Sequence, residues 1–225
     1  MKYKTELHCH SKDGSGCANE SAEGIVKKYL EAGYTTIALT NHFGPFWNPE
    51  AREWWIGEVA EKYDAYDKLV KAAEGKLNIL FGLECYFIDN RNDYLVFGFD
   101  REYHENLDPA LTKDLRSFAE DAHKRGMFII QAHPFRQQMT MKRPDFVDAI
   151  EVYNGHLGHD NHNFLAEAFA DHYGKRKTSG SDHHDTDHMP RGGIMTDEPI
   201  TSVEQLIEVL RSGNYELIKT PPIDR

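Results

Sequence analysis

The sequence predicts an α/β fold in which about seven strands, linked by helical crossovers, form a closed or nearly closed barrel. Three observations carry this expectation. Short apolar, strand-like runs alternate with segments of helical periodicity along the chain. Helical connections of that length favour parallel pairing of the strands they join. Finally, His8, His10, His42, Glu84, His133, Asp182 and His184 each fall just after a strand, on the rim where barrels of this type build their active sites.

The first strand ends in Glu6-Leu7-His8-Cys9-His10. Side chains two apart on a strand share a face, so His8 and His10 point one way and Cys9 the other. Two protonated imidazoles would repel, whereas two neutral ones can share a cation such as Zn, Mn or Fe. A polar loop, 11–19, follows. Ser21 caps a helix over 22–32 with Ile25, Val26, Tyr29 and Leu30 as its apolar stripe, and Gly33 ends it. Residues 36–40 read as a buried strand that delivers Asn41-His42, and an aromatic loop with Phe43, Phe46 and Trp47 comes next.

Asn48-Pro49 opens a long helix reaching about residue 74, where Gly75 stops it. Residues 78–82 form a strand that delivers Glu84, and strands at 86–88 and 94–99 flank a hairpin turn at 89–92. A helix over 112–125 ends at Gly126, and the strand 127–131 delivers His133-Pro134. The strand 148–152 leads to Tyr153-Asn154-Gly155, and a helix over 161–173 stops at Gly174. A brief strand at 177–179 delivers Gly180-Ser181-Asp182-His183-His184. Ser202, with Gln205 placed for a capping box, opens a last helix that Gly213 closes.

Length suits one domain, 1–225, with a full core. A net charge of −11 opposes a broad basic face, so no extended nucleic-acid surface is expected. It leaves small anionic substrates open, because bound divalent cations reverse the local sign. Three cysteines, Cys9, Cys17 and Cys85, make a poor disulfide framework and fit a reducing compartment. With no apolar leader after Met1 and no membrane-length apolar run, the expected location is cytoplasmic, without a membrane partner.

Taken together, Glu6-Leu7-His8-Cys9-His10, Thr40-Asn41-His42, Gly82-Leu83-Glu84, Ala132-His133-Pro134 and Gly180-Ser181-Asp182-His183-His184 resemble, in order and spacing, the PHP (polymerase and histidinol phosphatase) family. The resemblance runs from residue 2 to about 193. It implies a distorted (β/α)7 barrel that binds two or three divalent metal ions (Zn, Mn or Fe) and hydrolyses phosphate esters. By that resemblance His8, His10, Glu84 and Asp182 hold a first metal. Glu84 bridges to a second, which His133 also binds, while His42 and His184 hold a third.

The chain departs from the family pattern at three places. Tyr94 stands where many members have a histidine on the strand after the hairpin turn, which leaves the second metal short of a ligand. Ser15 and Gly16 occupy the usual position of a third-metal ligand, and Asp13 is the expected substitute. Asn41 replaces an aspartate.

For substrate, Arg136 on the rim suits bidentate grip of a phosphate, with Arg191 and Asn154 as further candidates. Glu84, His133 and Arg136 are the expected catalytic residues. His183, Asp185, Asp187 and His188 are read as groups that orient the ligands or line the rim. His156, His159 and His162 are assigned no catalytic role, and Cys9 is packing. The expected activity is hydrolysis of a small phosphorylated metabolite or nucleotide, with histidinol phosphate among the family's substrates. The alternatives are an amide or lactone hydrolase using the same rim, and a non-catalytic metal-binding module.

Overall fold

A computed structural model describes residues 2–44 and 52–221, without the side chains of 52–55. The aromatic loop at Phe46 and Trp47 and the helix start at Asn48-Pro49 lie outside the described residues, as do the side chains of Trp54 and Trp55.

The strands are β1 (Tyr3–Cys9), β2 (Tyr34–Leu39), β3 (His42–Phe43), β4 (Asn78–Tyr86), β5 (Asp93–Phe97), β6 (Phe128–Gln131), β7 (Ala149–Asn154), β8 (Arg176–Gly180), β9 (Ile194–Thr196) and β10 (Glu216–Leu217). The helices are α1 (Ala22–Glu31), α2 (Arg52–Ala73), α3 (Arg101–Asn106), α4 (Leu115–Lys124), α5 (Asn163–Tyr173) and α6 (Val203–Ser212). One sheet runs in the order β10-β9-β1-β2-β4-β5-β6-β7-β8, with β3 beside β4. Its far end returns to its middle: Cys9 bridges His183 in parallel register, and the amide of His10 donates to the carbonyl of His183 at 2.9 Å. The sheet is therefore a nearly closed barrel, as expected.

Its strands are not all parallel. β4, β5 and β6 pair antiparallel, because β4 and β5 are joined by a short turn rather than a crossover. β9 and β10 add two further antiparallel strands on the outer side of β1. The sequence reading missed these two, which at three and two residues are too short to show a period.

Local chemistry sets the helix ends. Ser21 accepts from the amide of Gly24, and Ser202 from that of Gln205. The helix expected from residue 112 begins later. Asp108 and Pro109 start a 3-10 turn over Pro109–Lys113, and Asp114 then caps α4 through the amide of Ser117. Gly174 and Gly213 end α5 and α6 at φ 61° and 75°, a left-handed conformation that costs glycine nothing.

Apolar residues of the strands meet the helices in three clusters. One centres on Phe118, Ile129 and Val152, a second on Leu95, Phe128 and Leu206, and a third on Ile25, Tyr29, Ile37 and Leu69. The strand ends carry the buried polar residues, so the core stops where the site begins.

Candidate metal centre

His8 and His10 leave the end of β1 on one face, buried, with ring centroids 5.1 Å apart. Glu84, within β4, reaches between them. Its Oε1 is 3.2 Å from His8 Nε2 and 3.0 Å from His133 Nε2, while its Oε2 is 3.2 Å from His10 Nε2 and 3.0 Å from His42 Nδ1. Asp182, after β8, sets Oδ1 3.2 Å from His8 Nε2, 3.5 Å from His10 Nε2 and 3.2 Å from His184 Nδ1. Seven residues far apart in sequence thus converge at one mouth of the barrel. Two of them, His133 at φ 26° and Asp182 at φ 52°, sit in the left-handed region, a strain that persists where surrounding contacts over-determine it.

Three compact donor groups result: His8, His10 and Asp182; His8, Glu84 and His133; and His10, His42 and His184. Hydrogen bonding tests whether they suit cations. A neutral histidine offers a lone pair at one ring nitrogen only if the other holds the proton. Nδ1 of His8 lies 2.9 Å from the carboxylate of Glu151, Nδ1 of His10 lies 3.2 Å from Ser15 Oγ, and Nδ1 of His184 lies 3.1 Å from the carbonyl of Asp182. The acceptors beside His8 and His10 fix the proton on Nδ1 and free Nε2, whereas the ring of His184 also meets Asp182 Oδ1 and Cys17. Among the described residues, His8 Nε2, His10 Nε2, His133 Nδ1, Glu84 Oε2 and Asp182 Oδ1 are buried with no hydrogen-bond partner. Orphaned buried groups of this kind are costly in a native interior, and divalent ions would satisfy those of His8, His10, Glu84 and Asp182, which face one another, whereas His133 meets Glu84 through Nε2. The residues fit the group.

The charges agree. Burial opposes ionisation of Glu84 and Asp182, yet the surrounding imidazoles, and Arg136 beside Asp182, hold both carboxyls well below the usual range. Burial likewise opposes a charge on His8, but Asp182, Glu151 and Glu84 outweigh it and raise its pKa well above the ordinary value. Burial lowers that of His42 to about 3. A field able to hold a proton on His8 in a dry site also attracts a cation there.

The positions expected from sequence fall into two groups. His8, His10, His42, Glu84, His133, Asp182 and His184 are brought together. Asp13 is not: its carboxylate pairs with Lys68 at 2.7 Å, away from the histidines. Ser15 turns inward instead, where its Oγ accepts from the amide of His42 and donates to Asn41. Asn41 braces that loop through the amide of Ser11 at 2.9 Å. Tyr94 also points away from the cluster, its hydroxyl among Asn90 and Asn92. Its strand neighbour Asp93 faces in, grouped with His42 and Glu84 and 4.0 Å from His133 Nε2. Burial and Glu84 push the Asp93 carboxyl up to about 7.

Arg136 donates to Asp182, to Asn161 at 2.8 Å and to Asn154 at 3.1 Å, and it lines the cavity above the cluster. Asn154 spends its amide hydrogens inside the protein, on Glu151 at 2.9 Å and Asp182 at 3.2 Å, so it organises the site rather than reaching outward. Arg191 is buried, donates to the carbonyl of Pro221, and lines a different cavity with Tyr153 and Leu157.

Sequence reasoning missed Glu151, whose Oε1 faces His8 and whose Oε2 accepts from the amide of His133 at 3.0 Å. The available signal was an acid inside the apolar run Ala149-Ile150-Glu151-Val152. Glu6 has a role that the sequence reading does not assign. Its buried carboxylate accepts from the amides of His8 and Ser181 at 2.9 Å each, tying the first ligand strand to the loop that bears Asp182.

Comparison with known proteins places these features in a class. The family described as PHP-associated matches residues 160–215. No curated protein sequence matches the chain. Among solved structures, a two-domain protein containing a predicted PHP-like metal-dependent phosphoesterase from Bacteroides vulgatus is 19% identical with a TM-score of 0.68. The match covers 98% of this chain and 65% of that one, so the chain spans about two-thirds of that protein's length. The lesion-specific endonuclease PfuEndoQ from Pyrococcus furiosus is 16% identical with a TM-score of 0.66, covering 96% of this chain and 58% of that one. An amidohydrolase from Chromobacterium violaceum, with bound sulfate and no metal, is 16% identical with a TM-score of 0.56, covering 92% of this chain and 96% of that one. At these identities the likeness is one of fold. The chain thus shares the fold of these PHP-like proteins, and its residues 160–215 match the PHP-associated family.

Proposed function

We propose that the chain is a metal-dependent hydrolase that cleaves phosphate esters of small molecules at the rim defined by His8, His10, Glu84, His133 and Asp182. The observation that carries this reading is the set of buried, unpartnered donor atoms on His8, His10, Glu84 and Asp182, with the proton of His8 and His10 held at the far ring nitrogen.

His8, His10 and Asp182 would hold one ion; Glu84 and His133, with Asp93, a second; His42 and His184 a third. Bound there, divalent ions would lower the pKa of water and draw charge from the phosphoryl oxygens. The protein's own part is positioning. Arg136 and Asn154 both donate to Asp182, which turns its other oxygen toward the imidazoles. The same guanidinium stands at the cavity wall, where it can donate to a phosphoryl oxygen as charge develops. Glu84 touches four histidines, so it fixes the spacing of the groups that meet the ester.

The test is a screen of purified protein loaded with Mn, Fe or Zn, comparing phosphate monoesters and diesters with amides and lactones. The reading expects metal-dependent release of phosphate, lowered at least about 10²-fold by Glu84→Gln. Turnover confined to amides or lactones overturns it in favour of the other hydrolase class, and metal binding without turnover leaves a binding module.

A further inference from the structure

The cavity above the cluster has a volume of about 830 Å³ and is walled by His42, Asp93 and Arg136 on the ion side and by Arg91, Gln138 and Met139 further out. That is the size of site that takes a whole small molecule rather than a bare phosphate. Arg91 is the unusual member. In a chain of net charge −11, arginines find acceptors readily, and every other arginine with a described side chain pairs with a carboxylate or donates to a carbonyl. Arg91, exposed at the hairpin turn between β4 and β5, alone among the described arginines has no ion pair, side-chain hydrogen bond or ring contact.

The backbone that carries it is fixed. The amide of Thr140 donates to Asn92 Oδ1 at 2.7 Å, Asn92 Nδ2 returns a bond to the Thr140 carbonyl at 2.9 Å, and the amide of Arg91 itself donates to Thr140 Oγ1 at 3.3 Å. Lys142 clamps the same turn through Asp89. Across this seam Gln138, on the same wall, holds φ 77°, a left-handed conformation that a non-glycine residue adopts at some cost. The turn and the 137–142 loop thus form one rigid wall with an uncommitted guanidinium on it.

From this wall we infer that Arg91 is a specificity residue, and that the substrate is a phosphate ester whose leaving group bears a second acidic group, a carboxylate or another phosphate. The inference rests on the phosphoesterase reading. The ester phosphate goes to the cations at the base of the cavity, where Arg136 is already tied to Asp182. A second oxyanion projecting outward meets Arg91, whose planar fork suits either acid. Discrimination then comes from the outer wall, while hydrolysis takes place at the base.

The experiment compares phenyl phosphate, 4-carboxyphenyl phosphate and 4-phosphonooxyphenyl phosphate on the metal-loaded protein and on Arg91→Ala and Arg91→Glu. The reported quantity is the ratio of kcat/KM for each diacid to that for phenyl phosphate, which is insensitive to partial misfolding. The inference expects a ratio above one in the parent protein. It expects a fall of about tenfold in Arg91→Ala, equivalent to about 1.4 kcal/mol, and a larger fall in Arg91→Glu. The carboxylate and phosphate arms tell which second acid is preferred. An unchanged ratio in both variants overturns the inference while leaving the phosphoesterase reading intact. If none of the three esters is hydrolysed, that reading fails, and calorimetric binding decides the inference separately. Selective weakening of 4-carboxyphenyl phosphate relative to phenyl phosphate in Arg91→Ala supports it, and equal weakening of both refutes it.

Discussion

Glu151 Oε1 lies 2.9 Å from Nδ1 of His8, and both groups are fully buried. The carboxylate does two jobs at once, because its second oxygen accepts from the amide of His133. A glutamine cannot replace it in both: its amide nitrogen donates, so one of the two N–H groups loses its acceptor. Glu151→Gln is therefore expected to weaken metal binding about 10-fold and Glu151→Ala toward 100-fold. Competition against a chromophoric chelator measures this, and equal affinity in all three proteins would show that Glu151 does not orient His8.

Gly180 closes β8 where the backbone passes the site. A Cβ built on it would lie 2.4 Å from Cβ of His8 and 2.4 Å from Oε1 of Glu151. Neither is the far end of a chain free to swing away, since both are locked in the hydrogen bond just described. Gly180→Ala should cost about 1–3 kcal/mol, the range for overpacking a filled interior. It should also lower metal affinity, because relief comes from displacing His8. Urea unfolding of the metal-free protein together with a chelator titration separates the two effects, and a variant unchanged in both would contradict the close approach.

Much of this arrangement is readable from the chain, for physical reasons that differ between regions. Polar residues near strand ends announce themselves: a histidine or an acid beside an apolar run breaks the pattern, and five histidines with Glu84 and Asp182 gather at one end of the strands. Residues whose direction depends on fine register are harder to read. Asp93 and Tyr94 are neighbours on β5, and alternation alone leaves open which of them faces inward. The antiparallel pairing of β5 with β4 and β6 decides in favour of Asp93. Loop residues are the least legible. Asp13 has the better chemistry for a cation, but its short loop folds so that Ser15 faces His10 while Asp13 meets Lys68. The supporting roles of Glu6 and Glu151 stayed hidden because they act through hydrogen bonds to His8, His133 and Ser181, partners that only the fold brings beside them.

His104, on α3, is buried against Phe43 at a centroid distance of 4.3 Å and Phe99 at 5.0 Å. Burial, with Lys62 nearby, pushes its pKa down to about 3. The ordinary value near 6.5 applies once the chain unfolds. Between those values the unfolded state binds a proton that the folded state refuses, so stability is fully present above pH 6.5 and is lost as pH falls below it. The loss approaches about 1.4 kcal/mol per pH unit at its steepest. Unfolding free energies from pH 7.5 to 4.5 for the parent and His104→Phe should differ in slope by up to one proton, whatever the absolute cost of the substitution. Parallel curves would place the titrating group elsewhere.

Asp93 and Tyr94 offer the sharpest separation between ligand and scaffold, since they are adjacent and equally available to mutation. Asp93 is grouped with His42 and Glu84 and approaches His133. Tyr94 packs its ring 5.5 Å from that of Phe87 and sets its hydroxyl 3.2 Å from Asn90 Oδ1 and 3.3 Å from Asn92 Nδ2. If Asp93 supplies the second ion with the carboxylate that the strand otherwise lacks, Asp93→Ala should lower bound metal by about one ion per chain, or weaken that ion about 10- to 100-fold. Tyr94→Phe removes the two long hydrogen bonds of the hydroxyl and should cost about 1 kcal/mol of stability, with metal content unchanged. Elemental analysis after dialysis against limiting chelator reads the first effect, and thermal unfolding of the metal-free proteins reads the second. The reverse outcome, metal lost from Tyr94→Phe and retained by Asp93→Ala, would return the ligand role to the tyrosine and require β5 to lie one residue out of its register with β4.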